Sequence, residues 1–446
     1  MSFKDLILTP FFLIILYILL FAFKKRICKD PKIRPFIIPA LTVKIVGAIA
    51  VGFIYTFYYS GGDTTAYFEL GSKHIWEAFK DDFITGLKLL LDSGGTYQKD
   101  TAKYATKIFY YYNESTYFIV RLSGFFGLFC FHTYTIIAIF FSLYSFSGLW
   151  AMYTILYRLY PHLYKKLAIA VFFLPSTIFW GSGLLKDSIT IGALGWVFYC
   201  SYNIFFERKK LISSIIILIL SIYVLKVIKI YILLAFIPAL TVWLYFSFVG
   251  RIKNRIVRTF AAPILLIFIV GFSLSSINIF ATFNTDYTIE NLVSTSLRTS
   301  SYIAYVSKAT DGSYYDLGEF EATPLGMLSV AHKAINVSLF RPYPWEIKNI
   351  LMAFSSLESS TLLLITIYLI FFKQKFYNLM VILKNDHFVK FALVFVIIFG
   401  FAVGISTFNF GSLVRYKIPL LPFYGSLLFI LSSTNISYLK SKSIIR

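Results

Sequence analysis

Long runs of uncharged, apolar residues recur along this chain, and they limit its possible folds more than any other feature. Residues 6–23 and 133–157 are two such runs. A helix needs about 20 apolar residues to cross the hydrocarbon core of a bilayer. Because 58% of the 446 residues are hydrophobic and only 14% are charged, the chain is too apolar for a soluble domain. The sequence therefore predicts an all-α fold, a polytopic membrane helix bundle.

A window of about 20 residues per crossing predicts about eleven transmembrane helices in one integral membrane domain, residues 1–446. They are expected near residues 6–23, 36–58, 133–157, 167–182, 188–206, 211–226, 230–250, 259–281, 350–372, 389–408 and 418–437. The segment 117–131 is apolar but contains Arg121 and two glycines, so it is predicted to be interfacial or re-entrant. The first helix is expected to be retained, because it lacks a small-residue cleavage site and is followed by Lys24-Lys25-Arg26.

The basic residues predict which ends of the helices face the cytoplasm. The segments 24–34, 158–166, 207–210, 251–258, 373–390 and 438–446 hold more than half of the 42 Lys and Arg residues and few acids. By the positive-inside bias these segments are cytoplasmic, which places two long loops, residues 59–116 and 283–349, outside. The formal charge of +21 then indicates contact with anionic membrane lipids. Nucleic acid is not an expected partner.

The segment from Trp180 to Ser188 gives the clearest functional signal. Its sequence, Trp-Gly-Ser-Gly-Leu-Leu-Lys-Asp-Ser, places Lys186 and Asp187 between two apolar stretches. A charge at bilayer depth costs about 2.5 to 3.5 kcal/mol on insertion scales, so a chain that keeps such charges is expected to use them. An ion pair that reaches the interface is the alternative. Neighbouring residues on a helix point apart, so we expect a separate partner for each charge.

The outer loop that follows the second predicted helix begins with Tyr-Ser-Gly-Gly-Asp63-Thr-Thr-Ala-Tyr67. The paired glycines let the backbone bend, so that Asp63 can point back at the membrane surface. Asp63 is a candidate catalytic base and equally a candidate helix N-cap. Further along this loop, residues 75–91 have the spacing of an amphipathic helix lying on the membrane.

The second long loop ends in a proline-bounded segment. Pro342 and Pro344 predict an extended path that presents Arg341 and Glu346 above the next helix. Glu358 follows inside that helix, and an isolated glutamate within a span is expected to need a cationic partner.

The last outer loop is predicted before the final helix, from Asn409 onward. Arg415, Tyr416 and Lys417 lie in it, and two cations beside Asn409 form a candidate anion site. A helix-end anchor is the alternative.

Together these segments define a candidate site on the outer face, where fixed cations and a few carboxylates suit a bound phosphate group and a proton acceptor. The candidate catalytic residues are Asp63, Asp187 and Glu346, and the candidate substrate-binding residues are Lys186, Arg341, Arg415, Lys417, Tyr416 and Arg121. Lys226 and Lys229 are interpreted as ordinary interfacial lysines. The three cysteines show no pairing or metal-ligand spacing and are predicted to be packing residues. No metal site and no cofactor are predicted; a divalent metal ion stays an alternative that the sequence does not indicate.

Transfer of a sugar from a polyprenyl-linked donor needs little more than such a site. Cations offset the charge that develops on the departing phosphate or diphosphate, and a carboxylate takes the proton of the acceptor hydroxyl. Direct displacement by that hydroxyl would invert the anomeric centre without a covalent intermediate.

Three motifs resemble those of bacterial membrane glycosyltransferases and polysaccharide repeat-unit polymerases of the O-antigen-polymerase type. They are Gly-Gly-Asp63, Phe179-Trp-Gly-Ser-Gly-Leu-Leu-Lys-Asp187 and Gly-Ser-Leu-Val-Arg415-Tyr-Lys-Ile-Pro-Leu-Leu-Pro. The resemblance implies a multi-pass protein of the bacterial cytoplasmic membrane that uses polyprenyl-phosphate-linked or polyprenyl-diphosphate-linked saccharides at the outer face. It also implies that Asp63 is the first-loop acid, that Arg415 contacts the phosphate, and that other glycan-assembly proteins are possible partners. The chain departs from the family pattern in that its first-loop acid follows the second span.

The main alternative is a lipid-linked oligosaccharide flippase or another transporter, which also needs charges between helices. A transporter predicts inverted repeats, discontinuous helices and charges spread through the depth of the membrane. The predicted clustering of charges on one face favours an enzyme. A membrane acyltransferase would need a well-placed histidine. An intramembrane serine protease would need a glycine at the position of Trp180. A structural scaffold would leave Lys186, Asp187 and Glu358 unexplained.

Overall fold

The structure, a computed structural model, describes residues 3–249, 294, 297–298, 301–302, 305–306, 313–321 and 323–434. Within these residues it is helical, without a β-strand, and nine helices are long and apolar enough to cross a membrane. These are Phe3–Ile27, Arg34–Tyr58, Tyr134–Leu159, Lys186–Glu207, Leu211–Lys229, Tyr231–Val249, Ile350–Lys373, His387–Thr407 and Phe410–Ser433. The prediction of a polytopic all-α membrane bundle is confirmed. The predicted span 259–281 lies outside the described residues.

The chain divides into two compact units. Unit 1 comprises Met1–Leu159 and Thr177–Lys229, and unit 2 comprises Tyr160–Ser176 and Ile230–Arg446. The first thirteen α-helices are α1 (Phe3–Ile27), α2 (Ile37–Phe53), α3 (Asp63–Tyr67), α4 (Lys73–Asp81), α5 (Phe83–Leu91), α6 (Ala102–Ala105), α7 (Glu114–Leu128), α8 (Tyr134–Leu159), α9 (Tyr164–Phe172), α10 (Pro175–Phe179), α11 (Lys186–Tyr202), α12 (Leu211–Lys229) and α13 (Tyr231–Val249). The remaining described α-helices are α14 (Pro324–Ser329), α15 (Ala331–Phe340), α16 (Ile350–Ile367), α17 (Lys375–Asn385), α18 (His387–Thr407), α19 (Phe410–Tyr416) and α20 (Leu421–Ser433).

Helices α8 and α11 pack closely and run parallel in unit 1. A Cβ atom on Gly148 would lie 1.8 Å from the carbonyl oxygen of Gly192, so only glycine permits this approach, as in other membrane helix pairs. Further along, Arg158 of α8 reaches Asn203, just beyond α11, at 3.4 Å. Because both helices run in the same direction, residues 160–185 must return from one end of the pair to the other.

The predicted span 167–182 is therefore wrong as a continuous helix. The returning segment consists of the short helices α9 and α10, followed by irregular backbone up to Leu185. Pro175 and the glycines at 181 and 183 break the helical run, because proline lacks a backbone donor and Gly183 adopts a positive φ of 74°.

Three further helices complete the bundle of unit 1. Asp5 in α1 accepts a hydrogen bond from the backbone of Thr135 in α8 at 2.8 Å, so α1 and α8 begin at the same end. Helices α2 and α12 run in the opposite direction. We call the end at which α8 and α11 begin the outer end and the opposite end the inner end; these names follow the predicted orientation, which stays a prediction.

The first predicted outer loop is folded against α7. Its core contains buried aromatic and aliphatic side chains, among them Ile75, Leu89, Tyr104, Tyr111 and Tyr117. The predicted amphipathic helix over residues 75–91 is wrong as one element. It is divided into α4 and α5 because Asp82 leaves the helical conformation and caps α5 through the backbone of Thr85 at 2.8 Å. With 15 residues, α7 is too short for a simple crossing, in agreement with the prediction for residues 117–131.

Unit 2 is centred on α18, which packs against α13 and α15. Buried phenylalanines on α18, including Phe391 and Phe395, contact Phe236 of α13 and Phe423 of α20. Residues 283–293 of the second predicted outer loop lie outside the described residues, whereas its end forms α14 and α15.

The predicted last outer loop is wrong in its extent. Asn409 caps α19, and its side chain accepts hydrogen bonds from the backbones of Gly411 (2.7 Å) and Ser412 (3.2 Å). The helical run therefore starts at Phe410 rather than near residue 418, and Arg415 and Lys417 lie within the final span-length segment instead of before it.

Candidate functional site

Lys44 lies fully buried in the middle of α2 and binds the break between α10 and α11. Its ammonium group donates hydrogen bonds to the carbonyl oxygens of Thr177 (2.9 Å) and Gly181 (2.5 Å). Ser145 of α8 donates to the same Gly181 oxygen at 2.8 Å. A broken helix leaves carbonyl groups without intrahelical donors, and each unsatisfied group in hydrocarbon costs several kcal/mol. The Lys44 ammonium therefore stabilises non-helical backbone inside unit 1.

Hydroxyl groups bind further backbone groups of the break, at Gly183. Ser142 Oγ accepts a hydrogen bond from the backbone of Gly183 at 3.3 Å, and Ser188 Oγ donates to the Gly183 carbonyl at 2.8 Å. Two further hydroxyls beside Lys44, those of Thr177 and Ser182, are buried and have no hydrogen-bond partner among the described residues. The Trp180–Ser188 segment thus forms a built polar region, with spare hydrogen-bonding capacity next to a cation.

Lys186 and Asp187 begin α11 and have different partners, which confirms that prediction. The Lys186 ammonium donates to the hydroxyls of Ser115 (2.9 Å) and Thr116 (2.7 Å) at the start of α7. Asp187 forms a hydrogen-bonded ion pair with Lys229, and both side chains are buried. The interpretation of Lys229 as an ordinary interfacial lysine is therefore wrong, because it balances a carboxylate within the bundle.

Asp63 is the first residue of α3, and Gly62, with a φ of 118°, occupies the N-cap position. The N-cap residue is therefore Gly62, and the alternative that Asp63 is the N-cap is wrong by one position. The half-buried Asp63 carboxylate interacts with Tyr110 of the first loop. Burial and this nearby carboxylate both raise the pKa of the Tyr110 hydroxyl.

The first-loop segment 110–116 links these charges. Its Tyr110 end interacts with Asp63, and its Ser115 and Thr116 end binds Lys186. The structure thus brings Asp63, Lys186 and Asp187 to the same end of unit 1.

A cavity of about 380 Å³ lies at this outer end. We call it the outer cavity. It is lined by the aromatic side chains of Phe68, Trp76, His132 and Tyr134, by the charged side chains of Lys4, Asp5, Glu69, Lys73, Glu77 and Lys80, and by Thr56 and Thr65. The hydroxyl groups of Tyr134 and Thr64 are 2.6 Å apart, which connects the cavity wall to α3 beside Asp63. Aromatic faces combined with charges of both signs are suited to a polar ligand with apolar ring faces.

His132 is the central polar group of the outer cavity, a role that the sequence does not predict. Its ring stacks on Phe68 with centroids 4.2 Å apart, and its Nε2 lies 3.0 Å from the Ser72 hydroxyl. Burial, with the positive charges of Lys4, Lys73 and Lys80, lowers the pKa of His132 to about 3. The imidazole is therefore neutral at physiological pH and can accept the Ser72 hydrogen bond.

Arg121 lies on α7, away from this cavity lining. Its guanidinium group is 5.4 Å from the ring centroids of Tyr117 and Phe118, and it donates a hydrogen bond to the Leu90 carbonyl at 3.5 Å. The hydrogen bond to Leu90 joins α7 to α5. These contacts give Arg121 a structural position, and its substrate-binding role stays a prediction.

In unit 2, Arg341 and Glu346 bind each other. The Arg341 guanidinium donates through Nε to both Glu346 oxygens, at 2.9 and 3.1 Å, and through a terminal nitrogen to one of them. Glu346 also accepts a hydrogen bond from the backbone of Tyr343 at 2.7 Å. The Arg341 guanidinium group lies 5.1 Å from the Phe410 ring centroid and 5.6 Å from that of Tyr315. Most of the hydrogen-bonding capacity of Glu346 is therefore used within the protein.

Lys417 is fully buried below this pair. Its ammonium donates to Ser359 Oγ at 2.7 Å and to the Arg341 carbonyl at 3.3 Å. It also interacts electrostatically with Glu358, at a longer range than a direct ion pair. Glu358 accepts a hydrogen bond from the Ser176 backbone at 2.8 Å through one oxygen, and its other oxygen has no hydrogen-bond partner among the described residues. The expected cationic partner of Glu358 is thus Lys417.

Arg415 and Tyr416 lie on α19, and both are half-buried. The Tyr416 ring packs against Tyr231, with centroids 6.3 Å apart. The candidate residues therefore fall into two groups. Unit 1 holds Asp63, Arg121, Lys186 and Asp187, and unit 2 holds Arg341, Glu346, Arg415, Tyr416 and Lys417.

Lys44 was not predicted as a functional residue, because a single lysine in an apolar run gives no pairing signal of its own. Its cost at bilayer depth is the signal that could have identified it. Among the described residues, no group of three or more His, Cys, Asp or Glu side chains could hold a metal ion. Comparison with protein-family models, with curated proteins and with solved structures finds no match to this chain.

Proposed function

We propose that the protein is a membrane glycosyltransferase or polysaccharide polymerase that uses polyprenyl-phosphate-linked or polyprenyl-diphosphate-linked sugar donors at the outer membrane face, in cell-surface glycan assembly. One observation carries the proposal. In the first-loop segment 110–116, Tyr110 interacts electrostatically with an acid, Asp63, and Ser115 and Thr116 bind a cation, Lys186. The same end of unit 1 holds the aromatic outer cavity, whose lining does not include Asp63 or Lys186. An acid, a cation and a sugar-sized aromatic cavity are the parts that this transfer needs.

Asp63 is the proposed proton acceptor. Asp187 is buried in its ion pair with Lys229, and Glu346 is bound by Arg341, whereas Asp63 is only half-buried. In the proposed step the acceptor hydroxyl oxygen bonds to the anomeric carbon and passes its proton to Asp63. The bond between that carbon and the phosphate oxygen breaks, and the phosphate leaves with the electron pair. The anomeric configuration is inverted.

Lys186 is the proposed cation for the departing phosphate. The hydroxyls of Ser115 and Thr116 hold its ammonium group in place, so little reorganisation is required when charge develops. Arg415 is proposed as a phosphate-binding residue on the resemblance alone, and Arg341 and Lys417 as residues that support α19 through the contacts around Phe410 and Ser359.

The proposal is tested with Asp63→Asn and Lys186→Gln in cells at matched protein levels. Loss of one interaction made in the transition state commonly lowers turnover by about 100-fold or more, so we expect little or no glycan. Asp100→Asn is the matched control, because this acid of the same loop is exposed and its side chain forms an ion pair with Lys88. Normal glycan in both site variants would contradict the proposal. The products distinguish the two activities, because loss of a polymerase leaves one repeat unit and loss of a single-sugar transferase leaves a truncated unit.

A flippase or other transporter is the second candidate, and the bound helix break favours it. Transporters use discontinuous helices whose exposed carbonyls bind a cation near the middle of the membrane, and the Lys44 ammonium occupies such a position. The sidedness of lipid-linked saccharide in a deletion strain separates the candidates. Accumulation on the cytoplasmic side indicates a flippase, and accumulation on the outer side indicates a transferase or polymerase.

A further inference from the structure

A second cavity lies at the inner end of unit 1, and we call it the inner groove. It has a volume of about 810 Å³ and lies between the last turns of α1 and α8, the first turns of α2 and the end of α11. Its walls are apolar, and they include Leu20, Phe146, Trp150 and Trp196. A cavity of this size matches those that hold small organic ligands.

The charges of the inner groove all have one sign among the lining residues that the structure describes. They are Arg26, Lys29, Arg158 and Lys210. Arg158 binds Glu207 at 3.1 Å, so that its charge is partly balanced. The other three cations are exposed and form no ion pair with a described carboxylate.

An apolar groove with cations at one end complements an amphiphile with an anionic head. We propose that the inner groove binds an anionic phospholipid of the surrounding leaflet, with its phosphate at Arg26, Lys29 and Lys210 and an acyl chain along Trp150 and Trp196. Basic pockets between helices on the cytoplasmic side are suited to anionic headgroups, and hydrogen bonds between charged groups strengthen the phosphate contact. The proposal does not depend on the proposed glycosyl transfer.

The helix packing around the groove explains why it is stable without a side chain filling it. Trp196 Nε1 donates to Ser147 Oγ at 3.0 Å, and the Trp150 ring lies 5.6 Å from that of Tyr153. Arg158 lies 5.9 Å from the Tyr199 ring centroid. These contacts fix the aromatic walls on α8 and α11, so that lipid enters a preformed space.

The position of two tryptophans in the groove allows a direct test. The full chain is reconstituted in phosphatidylcholine vesicles, and phosphatidylglycerol with brominated acyl chains is titrated in as a quencher of tryptophan fluorescence. Brominated phosphatidylcholine is the neutral control. We expect stronger quenching by the anionic lipid at equal mole fraction, and we expect Trp150→Phe/Trp196→Phe to remove that difference.

The triple variant Arg26→Ala/Lys29→Ala/Lys210→Ala tests the headgroup contacts. Each direct, charge-assisted contact with the phosphate is worth about fivefold or more, so loss of three such contacts should lower the selectivity by about a hundredfold. The matched control is Lys24→Ala/Lys25→Ala/Lys32→Ala, which removes three charges of the same predicted cytoplasmic segment that do not line the groove. Its selectivity should change by less than about tenfold, since only the general surface attraction is lost.

Equal losses in the two triple variants would overturn the proposal, because they would show general electrostatic attraction. Equal quenching by neutral and anionic lipids would overturn it as well. Displacement of the brominated lipid by inorganic phosphate would assign the site to a free anion, and displacement by a few mole per cent of polyprenyl phosphate would assign it to that carrier. Either result would contradict binding of a phospholipid.

Discussion

The two ends of unit 1 are formed by the same helices but have different chemistry. The outer cavity has a volume of about 380 Å³, and charged residues of both signs line it around the stacked rings of Phe68 and His132. The inner groove holds about 810 Å³ and has apolar walls with basic lining residues. Because α8 and α11 contribute to both ends, the difference arises from the residues at the helix ends and in the first loop.

This contrast indicates what each end can select. Mixed charges and aromatic faces can orient a neutral or zwitterionic ring by hydrogen bonding and stacking. A set of like charges above apolar walls selects for negative charge and a hydrocarbon chain and gives little orientation. The polar segment around Lys44 lies between the two ends, within the bundle.

The largest loss of stability is expected when the ion pair between Asp187 and Lys229, at the outer end, is broken. Asp187→Ala leaves Lys229 buried without its carboxylate, and breaking a buried pair costs about 3 to 5 kcal/mol. Thermal unfolding in detergent should show a large fall in the midpoint temperature. The double variant Asp187→Leu/Lys229→Met should recover most of the loss, and failure to recover it would show that the pair is not the cause.

The second largest loss of stability is expected for Lys44→Met. The substitution keeps much of the apolar stem but removes the hydrogen bonds to the Thr177 and Gly181 carbonyls. Ser145 still binds the Gly181 carbonyl, whereas the buried Thr177 carbonyl loses the Lys44 donor, which costs about 1 to 3 kcal/mol. The same unfolding measurement checks this result, with Lys25→Met as the control because Lys25 is exposed near the end of α1. An unchanged midpoint would contradict the role of Lys44 in stabilising the helix break.

The lowered pKa of His132 predicts that the free energy of unfolding depends on pH through a group at the outer end of unit 1. Its pKa is lowered to about 3, below the unfolded value of about 6.5. The unfolded chain therefore binds more protons than the folded chain between these values, and stability falls as the pH decreases through 6.5. From pH 7 to pH 5.5 the loss should be about 1 kcal/mol. His132→Gln should reduce this loss, and an identical pH dependence in the variant would exclude His132 as its source.

The smallest effect is expected for the exposed pair at the inner end. Arg158 and Glu207 have side chains that are 41% and 20% exposed, and such pairs contribute about 0 to 1 kcal/mol. Glu207→Gln should change the unfolding midpoint little, but it should raise selectivity for anionic lipid by about fivefold because it removes a nearby negative charge. A loss of stability as large as that of Asp187→Ala would remove the contrast between the ends.

The sequence predicted the membrane class and most spans because long apolar runs are local features. Separate partners for Lys186 and Asp187 were also predictable, since helix geometry points neighbouring side chains apart. The identity of those partners was not. Lys229 is remote from Asp187 in sequence, and the parallel packing of α8 with α11 depends on contacts such as Gly148 with Gly192.

The segment 160–185, which returns from the end of α8 to the start of α11, also depends on tertiary contacts that the sequence does not reveal. Its glycines and Pro175 indicated a local break, but the apolar residues of 167–182 have the length and composition of a continuous span. Only the tertiary contacts of Lys44 and Ser145 satisfy the irregular backbone. For the last span, an asparagine cap moved the start of the helix to Phe410, because the side chain of Asn409 satisfies backbone donors that a loop would have left to water.

The central proposal is tested most directly by turnover with the purified protein in lipid vesicles. Polyprenyl-phosphate-linked and polyprenyl-diphosphate-linked saccharides are supplied as donors and as acceptors. Release of polyprenyl phosphate or diphosphate is measured together with glycan product for wild type, Asp63→Asn and Asp100→Asn. The proposal predicts release and product with wild type and Asp100→Asn, and a loss of about 100-fold or more with Asp63→Asn at an unchanged unfolding midpoint. Wild-type turnover in Asp63→Asn would contradict it.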